Sequence, residues 1–92
     1  MALRLGALTS LHWQRWGDEW VVFNEGSGQT ILVDTLTAAT LLILETGATE
    51  RPELEAQVAE ELQIPDRDRL SNLLEQGLQS LKGLDWIETT VR

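Results

Sequence analysis

The chain is poor in residues placed for covalent or acid–base chemistry. It has one histidine, His12, and no cysteine. A metal centre needs several His, Cys or carboxylate ligands converging on one point, and no spacing around His12 supplies them. Ser27 lies between Gly26 and Gly28. A nucleophile elbow needs a strand before the serine and a helix after it. Here a strand pattern follows, so Ser27 reads as turn chemistry. Gly26-x-Gly28 also leads into a strand and lacks the P-loop lysine, which argues against phosphate cradling. The pairs Glu60-Glu61 and Asp66-x-Asp68 lie beside predicted helix ends, where capping and solvation account for them. These residues point to no catalytic group, no metal and no cofactor, and so to a protein that is not an enzyme.

Size and charge narrow the classes further. The chain has 92 residues, enough for one domain with one modest core. The expected layout is a loose lead-in over residues 1–9 and a single domain over 10–92. Fifteen acidic and 7 basic residues give a net charge of −8. Such a surface repels phosphate backbones and anionic lipid, so neither nucleic acid nor membrane is an expected partner. No apolar stretch reaches the roughly 20 residues that span a bilayer. The first ten residues lack a signal-peptide core and cleavage site. Absence of cysteine fits a reducing compartment, and a cytoplasmic location is the expectation. Acids crowd between residues 45 and 61 with only Arg51 opposing them, which reads as a solvated helix face or, alternatively, a docking face for a basic partner.

The elements that would position any site are legible from their periods. Residues 11–14 alternate apolar and polar. Gly17-Asp18 reads as a tight turn, residues 19–24 as a Trp/Val/Phe-rich strand, residues 25–28 as a second turn, and residues 30–33 as a third strand. Short connections make these three an antiparallel meander whose third strand is an edge. Asp34 or Thr35 can cap a first helix, with Ala38, Leu41, Leu42 and Leu44 on its buried side. Gly47 reads as its stop. Pro52 fits the start of a second helix with the stripe Leu54, Val58 and Leu62, ended by Ile64-Pro65. A third helix starts near Asp66 or Asp68 and carries Leu70, Leu73, Leu74, Leu78 and Leu81 at helical spacing. Residues 86–90 form a short closing strand or a docked tail.

The fold class is therefore α+β and winged-helix-like, with an N-terminal three-stranded meander, three helices and a short C-terminal strand. Winged helices often dock a helix into DNA. Here the third helix sets Arg67, Arg69 and Lys82 against Asp66, Asp68 and Glu75, which gives little drive toward DNA. The edge strand offers a different use. Ile31, Leu32 and Val33 carry no lysine or proline to blunt them, so a peptide strand or a second copy can pair there. Gly77 interrupts the leucine ladder at a cost of about 1 kcal/mol against alanine. It marks either a tight helix–helix contact or a groove for a peptide. Trp13, Trp16 and Trp20 cluster around one turn, and Trp86 can return to them. They serve a small core closed by large rings, or a binding hot spot. Strict alternation sets Trp13 and Trp16 on opposite faces.

The succession of strand, turn, strand, Leu32-Val33-Asp34, capped leucine-rich helix, Gly47, second helix and leucine ladder resembles the PqqD-like family. These are peptide chaperones whose fold also serves as the recognition element of ribosomal-peptide-modifying systems. The run Trp20-Val21-Val22-Phe23-Asn24 with Ser27-Gly28-x-Thr30-x-Leu32-x-Asp34 is similar to a branch that accompanies a kinase-like protein related to the kinase of the phosphocarrier HPr. The resemblance spans about residues 10–88. It implies that a leader peptide adds to the third strand, at Thr30, Ile31, Leu32 and Val33. It also implies a helix wall of Leu70, Leu73, Gln76, Gly77 and Ser80. The chain departs from the branch at Ile31, where a histidine is common, and at Asp85-Trp86-Ile87, where Gly-Leu-Ile is common. The implied role is a non-catalytic adaptor that holds a precursor peptide for a modifying enzyme or kinase-like protein. The alternative is a structural or dimerisation subunit of a kinase-like complex, with a homodimer through the edge strand.

The charge balance generates one prediction. Fluorescence anisotropy with duplex DNA at physiological salt should show no binding; salt-sensitive, sub-micromolar binding would overturn this reading of the surface.

Overall fold

The computed structural model describes residues 2–17 and 19–90. Asp18, half of the expected Gly17-Asp18 turn, lies outside the described residues. The chain is α+β. Its elements are β1 (Ala2–Leu5), β2 (Leu11–Trp16), β3 (Glu19–Asn24), β4 (Gln29–Val33), α1 (Thr35–Glu45), β5 (Thr49–Glu50), α2 (Arg51–Leu62), α3 (Arg67–Gly83) and β6 (Ile87–Thr90). The three-stranded antiparallel meander is β2-β3-β4. A second sheet, ordered β5-β1-β6, gathers both ends of the chain.

The meander obeys its alternation without a bulge. Trp13 pairs with Val22 and Val22 with Ile31, while Trp20 pairs with Val33. These side chains face the core. The rings of Trp13 and Trp20 meet edge to face with centroids 5.9 Å apart, a favoured aromatic geometry. Trp16 points the other way and is 74% exposed. The turn between β3 and β4 is pinned by buried Asn24, whose Oδ1 accepts the N–H groups of Ser10 at 3.1 Å and Gly26 at 3.0 Å. Gly26 has to be glycine there, because a Cβ would fall 1.6 Å from the Leu8 carbonyl oxygen.

Two expectations are corrected. Residues 2–5 are a strand, not a loose lead-in. β1 pairs with β6 from Ala2↔Thr90 to Leu5↔Ile87, Ala2 and Leu3 are buried, and Arg4 forms an ion pair with Glu88. Only tertiary pairing with the far end of the chain rescues so short and aperiodic a run. Leu42 is exposed, because Ala38, Leu41 and Leu44 already fill the inner arc of α1 and Leu42 falls outside it. Trp86 is fully buried just before β6, where its indole Nε1 donates to Gln29 Oε1 at 2.9 Å.

Helix ends follow their local chemistry. Asp34 caps α1 by accepting the Thr37 N–H at 2.7 Å, and Asp66 caps α3 by accepting the Arg69 N–H at 3.0 Å. Pro52 sits in the first turn of α2, where an absent N–H costs nothing. Arg51 ties α2 to α3 through Glu75 and the Ser71 carbonyl, and its guanidinium holds the Glu75 carboxyl below the ordinary range. α3 buries Leu70, Leu74, Leu78 and Leu81 against Leu41, Leu54 and Val58 in one core cluster.

Leu74 is 0% exposed. Leu74→Ala should therefore lower stability by about 2–5 kcal/mol in a denaturant titration, the usual range for an aliphatic truncation in a packed core.

Candidate functional site: the groove between β4 and α3

One side of β4 pairs with β3; among the described residues no strand pairs with the other side. In an antiparallel ladder alternate residues turn their peptide groups outward. The free side of β4 therefore presents N–H and C=O groups in a row. α3 runs alongside. Its four buried leucines set the rotation of the helix, and that rotation turns Leu73, Gln76, Gly77 and Ser80 toward β4. Strand and helix do not close on each other. Between them lies a groove of about 350 Å³.

The strand wall of the groove is Ile31, Leu32 and Val33. Leu32 is 65% exposed, while Val33 is buried and anchors the strand to the core. The helix wall is Leu73, Gln76, Gly77, Ser80, Leu81 and Leu84, and the end beyond Val33 is formed by Asp34, Leu36 and Thr37. The lining is mostly aliphatic with a few polar groups. Such a surface holds apolar side chains and leaves recognition of backbone to the strand edge. Among the described residues no cluster of His, Cys, Asp or Glu could hold a metal ion. No helix among them is long and apolar enough to cross a membrane.

Seven of the nine residues named from sequence line this groove: Ile31, Leu32, Val33, Leu73, Gln76, Gly77 and Ser80. Thr30 and Leu70 do not. Thr30 belongs to β4 but lies opposite Phe23 on the outer face of the sheet, with its side chain in solvent. Leu70 is 0% exposed, since it shares the inner stripe of α3 with Leu74. Sequence reasoning missed Asp34, Leu36, Thr37, Leu81 and Leu84. Leu84 was within reach, because it continues the helical spacing of Leu73, Gly77 and Ser80 by one turn. Leu36 and Thr37 were not, since only the turn of the chain from β4 into α1 brings them beside α3.

Gly77 forms part of the groove floor. A Cβ added there would meet only the Thr37 hydroxyl oxygen, at 3.4 Å, and no backbone. The glycine is therefore not required by a tight helix–helix contact, and it weakens the helix in return for an open floor. Gly77→Ala should raise stability by up to about 1 kcal/mol, the helix-propensity difference, as read from the denaturation midpoint. Destabilisation by this change would show that the position is closely packed.

No family model and no curated protein matches the chain. Among solved structures it is similar to TbiB1 in complex with the TbiA(beta) leader peptide. The TM-score is 0.70 at 18% identity, over 97% of this chain and 99% of that one. At that identity the likeness is one of fold, and it extends across nearly the whole of both chains.

Proposed function

We propose that this chain is a non-catalytic peptide-binding adaptor that captures the leader segment of a precursor peptide and presents it to a modifying enzyme. The observation that carries this reading is the unpaired edge of β4 facing a groove whose floor is a glycine. Its support from outside the chain is the shared fold with a protein solved with a leader peptide bound.

The physics of capture follows from the two walls. An extended peptide laid against β4 satisfies the outward peptide groups and supplies its own in exchange. Successive side chains of the added strand point to opposite faces. One set enters the aliphatic groove beside Leu73 and Gly77. The other set stays on the outer sheet face beside Thr30, free to be read by a partner. Affinity comes largely from main-chain bonds and buried apolar area, less the cost of ordering a flexible peptide. Nothing in this scheme asks a side chain of the adaptor to perform chemistry; the reaction belongs to the enzyme that receives the peptide.

A displayed library of random peptides, selected on the immobilised protein, tests the reading. Selection should enrich peptides with apolar residues at every second position. N-methylation of alternate amides in an enriched peptide should abolish binding, because those amides bond to β4. Gly77→Leu fills the groove and should lower affinity tenfold or more while the circular dichroism spectrum stays native. Ser80→Leu repeats the test from the next helical turn. Failure to enrich any peptide, or enriched peptides that bind both folded variants unchanged, would overturn the reading.

A further inference from the structure

We propose, building on the peptide-binding reading, that the peptide site continues past Leu73 into a second apolar hollow, and that Gln63 reads the flank of the same peptide there. Gln63, Ile64, Pro65, Asp66, Arg69 and Leu73 line this hollow of about 390 Å³, at the corner where α2 turns into α3. Leu73 lines both it and the groove beside β4. Arg69, Leu73 and Gly77 follow one another at four-residue spacing, so they share one side of α3 and the helix wall runs on from groove to hollow. Leu73 is 42% exposed. A ligand confined to one hollow leaves part of that side chain in water; a peptide lying across both covers it.

The backbone at the corner points the same way. Gln63 follows the last turn of α2 in the left-handed region, at φ 52° and ψ 52°. Its N–H and that of Ile64 both bond to the Ala59 carbonyl, which closes the helix. Glycine is the usual residue at such a cap, because a Cβ there is strained. Here the chain carries a long amide instead, exposed and lining the hollow. The closing bonds are made by main-chain groups, so the cap makes no use of that amide. Glutamine offers both N–H and C=O to an extended main chain. Ile64, Pro65, Leu73 and the aliphatic stem of Arg69 offer an apolar seat beside it. Together they fit a bulky aliphatic or aromatic side chain whose neighbouring peptide group bonds to Gln63. The ligand class narrows accordingly, to a peptide with an apolar anchor on one flank of the stretch that pairs with β4.

Peptides enriched on the parent protein supply the probe. They should carry an apolar residue on one flank of the apolar alternation. Replacing that residue by alanine should weaken binding to the parent roughly tenfold or more, the effect of one buried aliphatic side chain. Gln63→Gly keeps the left-handed cap and removes the amide. It should show an unchanged or higher denaturation midpoint. It should bind the enriched peptide roughly three- to tenfold more weakly, the scale of one hydrogen bond. A peptide trimmed to the alternation alone should bind both proteins equally. An alanine-substituted flank that binds the parent as before, or an enriched peptide indifferent to Gln63→Gly, would overturn the second hollow and leave the peptide reading standing. A lowered midpoint for Gln63→Gly would show that the side chain serves the fold, and would overturn its assignment to the peptide. Absence of any enriched peptide would remove both readings.

Discussion

The burial of Leu70, Leu74, Leu78 and Leu81 along one stripe of α3 is the constraint on which the site depends. These side chains are almost completely removed from water, at a gain of roughly 1.5–3 kcal/mol apiece. Together they fix the rotation of the helix about its own axis. Once the stripe is seated, the adjoining face is no longer free to choose its neighbours. Leu73, 42% exposed, then stands over β4 with Gly77 and Ser80 below it on the same face. A helix rolled by one residue would bury Leu73 and bring a different set of side chains to the groove.

β4 is held with the same economy. Its inner side chains, Ile31 and Val33, join the core, and its ladder to β3 runs from Gln29 to Val33. These attachments secure one face and one edge. The remaining edge pairs with no strand among the described residues, a state that natural sheets usually prevent with charges, bulges or proline. Gly77 fits the same pattern: helix stability is forgone where a side chain would occupy the groove.

The second sheet explains how so short a chain keeps this arrangement rigid. β1 and β6 join the two ends of the described chain, and Trp86, buried just before β6, bonds to Gln29 at the start of β4. The closing strand therefore braces the edge strand from behind. Loss of the indole would loosen β4 as well as the core.

By itself the sequence determined the α+β class, the meander over its three strands and the leucine stripe of α3, and it narrowed two helix caps to Asp34 or Thr35 and to Asp66 or Asp68. It also marked the β4 edge and Gly77 as a candidate site, and both line one groove. All of these are local: a period, a turn residue or a cap depends on neighbours within a few positions, and each leaves its signature in the order of residues. Tertiary structure alone decided that Ala2–Leu5 is a strand, that Leu42 faces water, that Leu70 lies behind the groove wall, and that Leu36 and Thr37 complete the groove's end. A four-residue run becomes a strand only when a partner from the other end of the chain lies beside it. A residue on a leucine-rich helix is inside or outside according to which arc the neighbouring elements cover, and pairings that distant leave no local period in the sequence.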